Sequence, residues 1–302
     1  MVLMDWKDGN VRFDGKHWAG KKRPNEPLQI QSYQHVAEQA RKMLRENGIV
    51  AISNARPDEY RFEELISRER GNISRKSDIL IEFDDKKNLL YDSKNQVYFM
   101  KAQEVRTKIN GVPVVLLAYN LPFDKNLDDK DGNKTLEEAA KYNCILGINL
   151  PSCIDRTDTG FLRLYHELGN FDFVVGYSGS TALKNFGGAN DGSQNLYRDE
   201  IKDNEFENPF TKEKHKIGVI AVSGGHRTPY GKLESVLNGG QTIGRSYTVI
   251  PEPKPGNFMN DLRQCLRNST EANMHCEPII IEAIKSQLSI KVGDRIRNLI
   301  FG

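Results

Sequence analysis

The chain has 302 residues, enough to bury one large core or two modest ones. Its 43 Lys and Arg against 41 Asp and Glu leave a formal charge of +2, too even for a general nucleic-acid or membrane coat, so any anion site has to be local. A mean hydropathy of −0.60, with no run near the ~18 apolar residues of a bilayer span, argues against a helical membrane protein.

Residues 1–30 are rich in Lys, Gly, Asp and Pro with little periodicity, and read as a peripheral arm around Trp6 and Trp18. Met1 to Gly20 lack the apolar centre of a secretory signal, which points to an intracellular setting, cytoplasmic or peripheral to membranes. Val36, Ala37, Ala40, Met43 and Leu44 recur at helical spacing before Gly48 and predict a helix over 34–47. The short apolar runs 49–53, 79–83 and 114–119 are β-rich and bounded by polar or turn residues, as strands covered on both faces would be. The acid-rich segment from Asp124 to Lys134 lacks the bidentate Glu of a calcium loop and reads as a solvated loop. Thr135 and Glu138 have capping-box spacing, predicting a helix over 135–142.

A strand at 143–149, a loop from Leu150 to Thr157 and a helix over 160–168 stopped by Gly169 come next. Another strand is expected at 172–177. Gly179, Gly187, Gly188 and Gly192 then mark an irregular stretch, followed by a strand at 216–223 and helices at 230–238, 260–266 and 278–288. The four cysteines, Cys144, Cys153, Cys265 and Cys276, form no Cys-x-x-Cys pair, which suits neither a disulfide framework nor a zinc site.

The loop carries the chemistry. A strand end feeding a helix start aims several backbone N–H groups at one spot, where the helix dipole adds positive potential, so the spot suits a phosphate. Arg156 closes such a cradle with a planar guanidinium that can hold two oxygens at once. Asp155 can position Arg156 or a water, and Ser152 and Thr157 offer hydroxyls. In a cysteine phosphatase the nucleophile stands six residues before the arginine, where the same amides lower its pKa. Leu150 occupies that position, and leucine cannot form a phospho-enzyme. Cys153, three residues before Arg156, lies in the middle of the loop.

The segment Asn149-Leu150-Pro151-Ser152-Cys153-Ile154-Asp155-Arg156-Thr157 resembles the signature of the Sac-domain phosphoinositide phosphatases and, less closely, that of bacterial inositol-phosphatase effectors. Tyr177 to Lys184 and the stretch Asp191, Gly192, Asn195, Leu196, Arg198 are similar to segments that follow the loop in that family. The likeness spans Gly48 to about Asp203. It implies an α/β fold with a central mixed β-sheet flanked by helices and a cysteine-phosphatase-like strand–P-loop–helix. It also implies one Sac-like domain over 31–302, with an N-terminal lobe at 31–110, a catalytic-like core at 111–250 and a C-terminal helical segment at 251–302. The expected catalytic positions are Leu150 (the substituted nucleophile), Asp155 and Arg156. The expected phosphate-binding positions are Ser152, Cys153, Ile154, Arg156, Thr157 and Lys184, with Arg198 a further cation near the ligand.

The resemblance implies a phosphoinositide or inositol phosphate as ligand, bound without turnover because of Leu150, with no cofactor and no metal. Peripheral membrane contact through Lys21-Lys22-Arg23 or 68–75 is compatible with it, and no nucleic-acid partner is expected. Three other readings stand beside it. One is a working phosphatase that uses Cys153 or Asp155, or whose natural residue at 150 is cysteine. Another is an assembly protein with a protein partner and no ligand site. The last is a metal-dependent phosphoesterase, suggested by Ser223-Gly224-Gly225-His226 and by Glu104, with too sparse a ligand set among six histidines.

Overall fold

The computed structural model describes residues 10–18, 48–54, 80–82, 89–92, 97–122, 125–127, 131–149, 163–179, 189–223 and 246–276. In chain order the strands are β1 (Asn10–Trp18), β2 (Gly48–Asn54), β3 (Leu80–Glu82), β4 (Leu89–Asp92), β5 (Val97–Ile109), β6 (Val112–Tyr119), β7 (Ile145–Ile148), β8 (Phe173–Ser178), β9 (Phe206–Glu207), β10 (Lys214–His215), β11 (Gly218–Val222), β12 (Tyr247–Pro251) and β13 (Met274–His275). The helices are α1 (Gly132–Lys141), α2 (Ala189–Leu196) and α3 (Phe258–Arg267).

One mixed sheet runs β11-β8-β7-β6-β5-β2-β1-β12-β13, with β4 pairing β5 and β3 pairing β4. The pairs β11/β8, β8/β7, β5/β2 and β2/β1 are parallel, whereas β6 is antiparallel to both β5 and β7. Strands β1, β2, β5, β7, β8 and β11 therefore all point the same way, and their carboxyl ends share one rim.

The sheet bends almost into a barrel, bringing its β11 end against β1 and β12. Side chains bridge this seam. The Thr248 hydroxyl accepts from the Ala221 N–H at 2.9 Å and donates to the Ala221 carbonyl at 3.4 Å. The Ser223 N–H donates to Asp14 at 3.0 Å, and the Ser223 hydroxyl meets the Ser246 backbone at 3.1 Å. The Val219 N–H donates to the Ser269 backbone carbonyl at 3.1 Å, and the Ser269 hydroxyl donates to the Val219 carbonyl at 3.0 Å. The backbone groups at 219, 221 and 223 thus find partners without a neighbouring strand, meeting the demand that buried N–H and C=O groups be paired.

Alternation along the strands separates two apolar clusters. Phe13, Tyr98, Met100, Leu117, Tyr119, Phe173, Val175 and Ile220 fill the concave side, joined by Phe258, Leu262 and Leu266 of α3. Val105, Leu116, Leu146, Val174 and Val219 face outward and are covered by Leu136 and Ala139 of α1 and by Leu168, Tyr197 and Ile201. Gly147 faces the inside, and a methyl group there would collide with the Phe173 ring, which occupies that space and stacks on Tyr119 at 5.4 Å between centroids.

At the amino end of the strands, α3 is tied down by charge. Arg267 donates to the buried Asp172 carboxylate at 2.7 Å and to Glu213 at 2.9 Å, while Asp172 also accepts from the Leu146 N–H at 2.9 Å. Arg263 reaches the Asn143 side chain at 2.7 Å and the Cys144 carbonyl at 2.7 Å. A small cleft of about 60 Å³ between Asn143, Asp172, Arg263 and Arg267 lies here, at the end opposite the carboxyl rim.

Several expectations need correction. Residues 10–18, assigned to a peripheral arm, form β1 between β2 and β12. Val11 and Phe13 are buried there, and two apolar positions are too few for periodicity to reveal a strand. Helix α1 starts earlier than the capping-box spacing suggested, because Asp131 adopts an extended conformation and accepts from the Asn133 N–H at 3.0 Å. Thr135 is instead buried inside the helix, its hydroxyl donating to the Asp131 carbonyl at 2.9 Å. Gly192, placed in an irregular stretch, lies within α2. The helices expected at 34–47, 230–238 and 278–288 lie outside the described residues. The α/β character and the large mixed sheet stand, but a P-loop is not shown, because 150–162 also falls outside them.

Candidate functional site

In α/β folds whose parallel strands end together, ligands meet the protein at the carboxyl ends, where loops start and backbone groups are not all consumed by the ladder. Here the ends of β5, β7, β8 and β11, and Asp14 of β1, contribute polar side chains near that rim.

On β5, Glu104 shares the inward parity of Tyr98, Met100 and Ala102. It is 2% exposed, and its carboxylate receives Arg106, two residues on along the same face, at 3.2 Å. Arg106 is 56% exposed and reaches toward solvent. The register sets Glu104 opposite Leu117 and Arg106 opposite Val115 on β6. Leu117 is in turn opposite Gly147 on β7, and the Asn149 N–H donates to the Val115 carbonyl at 2.8 Å. Asn149 thus stands on the inner face, level with Arg106 and two strands from it, with β6 between. It is buried at 9% exposure, and its amide oxygen Oδ1 has no hydrogen-bond partner. Val115 between them is half-buried, so the concave side opens to solvent at this height.

The neighbouring strand ends are held rigidly. Asn190 at the start of α2 accepts from the Ser178 N–H at 3.0 Å and donates to the Ser178 carbonyl at 3.3 Å, fixing the end of β8. Asp14 is fully buried at the seam. The Tyr119 hydroxyl is pushed well above its ordinary pKa, first by burial and then by Asp14 beside it, so it stays protonated. Among the described residues no group of three or more His, Cys, Asp and Glu side chains is placed to hold a metal ion.

Of the residues singled out in the sequence, Leu150, Ser152, Cys153, Ile154, Asp155, Arg156 and Thr157, together with Lys184 and His226, lie outside the described residues. Arg198 is committed elsewhere. It donates to Glu271 at 2.9 Å and to Asn195 and Gln194 at 3.3 Å, so its charge joins the end of α2 to the segment before β13. Glu104 does sit at the rim, though as a carboxylate beside an arginine. Asn149 was read only as part of a motif, and no feature of the sequence signals that its oxygen lacks a donor.

No family model matches this chain, and no curated protein matches it. Among solved structures, a two-domain protein from Bacteroides vulgatus ATCC 8482, described as containing a predicted PHP-like metal-dependent phosphoesterase, superposes with a TM-score of 0.49 at 11% identity. The superposition covers 89% of this chain and 66% of that one. The Sac-domain resemblance, and the phosphoinositide phosphatase or pseudophosphatase it implied, are therefore corrected: the neighbour found is of a different kind, and no match to a Sac domain accompanies it. The physical reason lies in how the likeness was assembled. Its motif is short, and the trailing matches at Asp191, Gly192, Asn195 and Arg198 belong to α2 and its exit, where Arg198 makes the Glu271 ion pair. No helix among the described residues is long and apolar enough to cross a membrane.

Proposed function

We propose that the chain binds a small polar metabolite in the mouth formed by the carboxyl ends of its parallel strands, with Glu104 as the group able to exchange a proton with it. The observation that carries this reading is the buried Glu104 carboxylate, held by Arg106 on the inner face of the rim to which six strands point. A structural core has little use for a charged side chain at such a place, since burying a carboxylate is costly unless it is paired. Chemical sites accept that cost in exchange for a positioned acid or base.

The segment that starts at Leu150 leaves β7 at this rim. Its Arg156, with Ser152, Thr157 and the amides of Cys153 and Ile154, is proposed to grip an anionic group of the ligand, and Asp155 to orient Arg156. Lys184, which follows β8, is proposed as a second cation.

The test is calorimetric titration with ribose 5-phosphate, glycerol 3-phosphate and citrate, against ribose and glycerol as uncharged controls. Val115→Trp serves as a plug in the mouth. Binding of an anionic probe that Val115→Trp abolishes while the Tm is kept is the expected result, and Glu104→Gln should leave binding but stop any release of inorganic phosphate. Failure of all the anionic probes to bind, or binding untouched by the plug, defeats the reading.

A further inference from the structure

From the unpartnered oxygen of Asn149 we infer that the mouth recognises a hydrogen-bond donor, a hydroxyl or amino group of its ligand, at the level of Arg106, with Asn149 Oδ1 as the acceptor. The inference rests on the ligand site proposed above and adds which residue selects the ligand and by what chemistry.

Buried polar atoms in folded proteins are almost always paired, and those that are not tend to mark places kept ready for something else. Asn149 is 9% exposed, and its Oδ1 is out of contact with solvent and without a donor. The backbone that carries it is fixed, its N–H donating to the Val115 carbonyl at 2.8 Å and Ile148 before it being in register with Leu116. Among the described residues, the adjoining positions on the inner face offer nothing polar. Gly147 has no side chain, its space being filled by Phe173, and Val115 and Val175 are apolar. A leucine would fit the same surroundings with no orphaned atom, so the amide is a cost to the unliganded protein. An acceptor kept in this way discriminates strongly, because a ligand lacking the matching donor leaves it unpaired, whereas a ligand bearing a hydroxyl satisfies it.

Asn149→Leu, nearly equal in size, separates the possibilities. The expected result has three parts. The Tm of the free protein rises by about 2 °C as the orphaned acceptor is removed. Affinity for ribose 5-phosphate falls at least about tenfold, with loss of any preference over 2-deoxyribose 5-phosphate. Affinity for inorganic phosphate, which engages only the anion-gripping part, stays as in the wild type.

A lower Tm would mean that the amide is already satisfied in the free protein, and it overturns the inference. Unchanged affinity for ribose 5-phosphate in the variant overturns it equally, while leaving the mouth as a ligand site intact. If the wild type binds neither ribose 5-phosphate nor phosphate, the site reading fails and takes this inference with it. The two failures are thereby told apart.

Discussion

Glu252, just past β12, shows how a single side chain sets a pH dependence. Burial against its surroundings raises its pKa from 4.5 to about 7, so the folded protein holds a proton there that the unfolded chain releases. The sign follows from linkage. Where the folded state binds the proton more tightly, the stabilisation is complete below the ordinary carboxylate value and is lost as the pH rises toward 7. Glu252→Gln removes this slope. The variant should melt higher than the wild type at about pH 8 and no higher at about pH 4, as scanning calorimetry at the two values would show. An equal shift at both would place the effect in packing and not in ionisation.

At the scale of elements, one tight constraint is the contact of β7 with β8. Gly147 is the place where the Phe173 ring enters the concave core, between the strand backbone and Tyr119. Gly147→Ala should therefore cost about 1–3 kcal/mol through overpacking, measurable by urea unfolding, with the offset regained in part when Phe173 is changed to Leu in the same chain.

Most of these elements could be read from the sequence because their apolar runs are continuous. The strands at β2, β6, β7, β8 and β11 lie close to where IVAIS, VVLLAY, NCILGIN, DFVVGY and KIGVIAVS predicted them. Helix α3 was expected at 260–266 and begins two residues earlier, with Phe258, Leu262 and Leu266 on its buried face. Strand β5 escaped notice although it is the longest described, at 13 residues. Its Lys101, Glu104 and Thr107 interrupt the apolar pattern while being buried, Lys101 through bonds to the Pro122 and Lys125 carbonyls at 3.2 and 3.0 Å. A signal was present all the same. Asn110-Gly111, with φ of 51° and 80°, is the two-residue turn that joins β5 to β6, and Asn-Gly between strands is among the strongest hairpin marks a sequence carries. The site was less legible than the fold. Glu104 and Asn149 are 45 positions apart in numbering, and only the register through β6 shows that they share a face. The motif around Arg156 follows β7 in the chain, but the family likeness it carried does not hold.

The whole molecule depends on its seam. Thr248 serves both the N–H and the carbonyl of Ala221, so Thr248→Val leaves two buried backbone groups without partners, at a cost of about 1–3 kcal/mol. Hydrogen exchange should locate the damage: the amides of β11 are expected to exchange faster, while those of the β5–β6 hairpin keep the wild-type rate. Uniform acceleration across the sheet would mean instead that the seam has no separate opening.

The same seam sets a timetable for synthesis. Asp14 and Ser223 are 209 residues apart, and β1 finds its second neighbour only in β12. On a ribosome, β1 is translated long before the segment that completes it, and β11 waits for Thr248 and Ser269. The nascent chain must carry a half-paired strand for most of its translation, a period of roughly ten seconds or more at ~5–20 residues per second. During that interval the inner residues Val11 and Phe13 lack their final cover, so slower elongation before residue 246 should increase the chain's reliance on chaperones, whereas slower elongation after residue 276 should not.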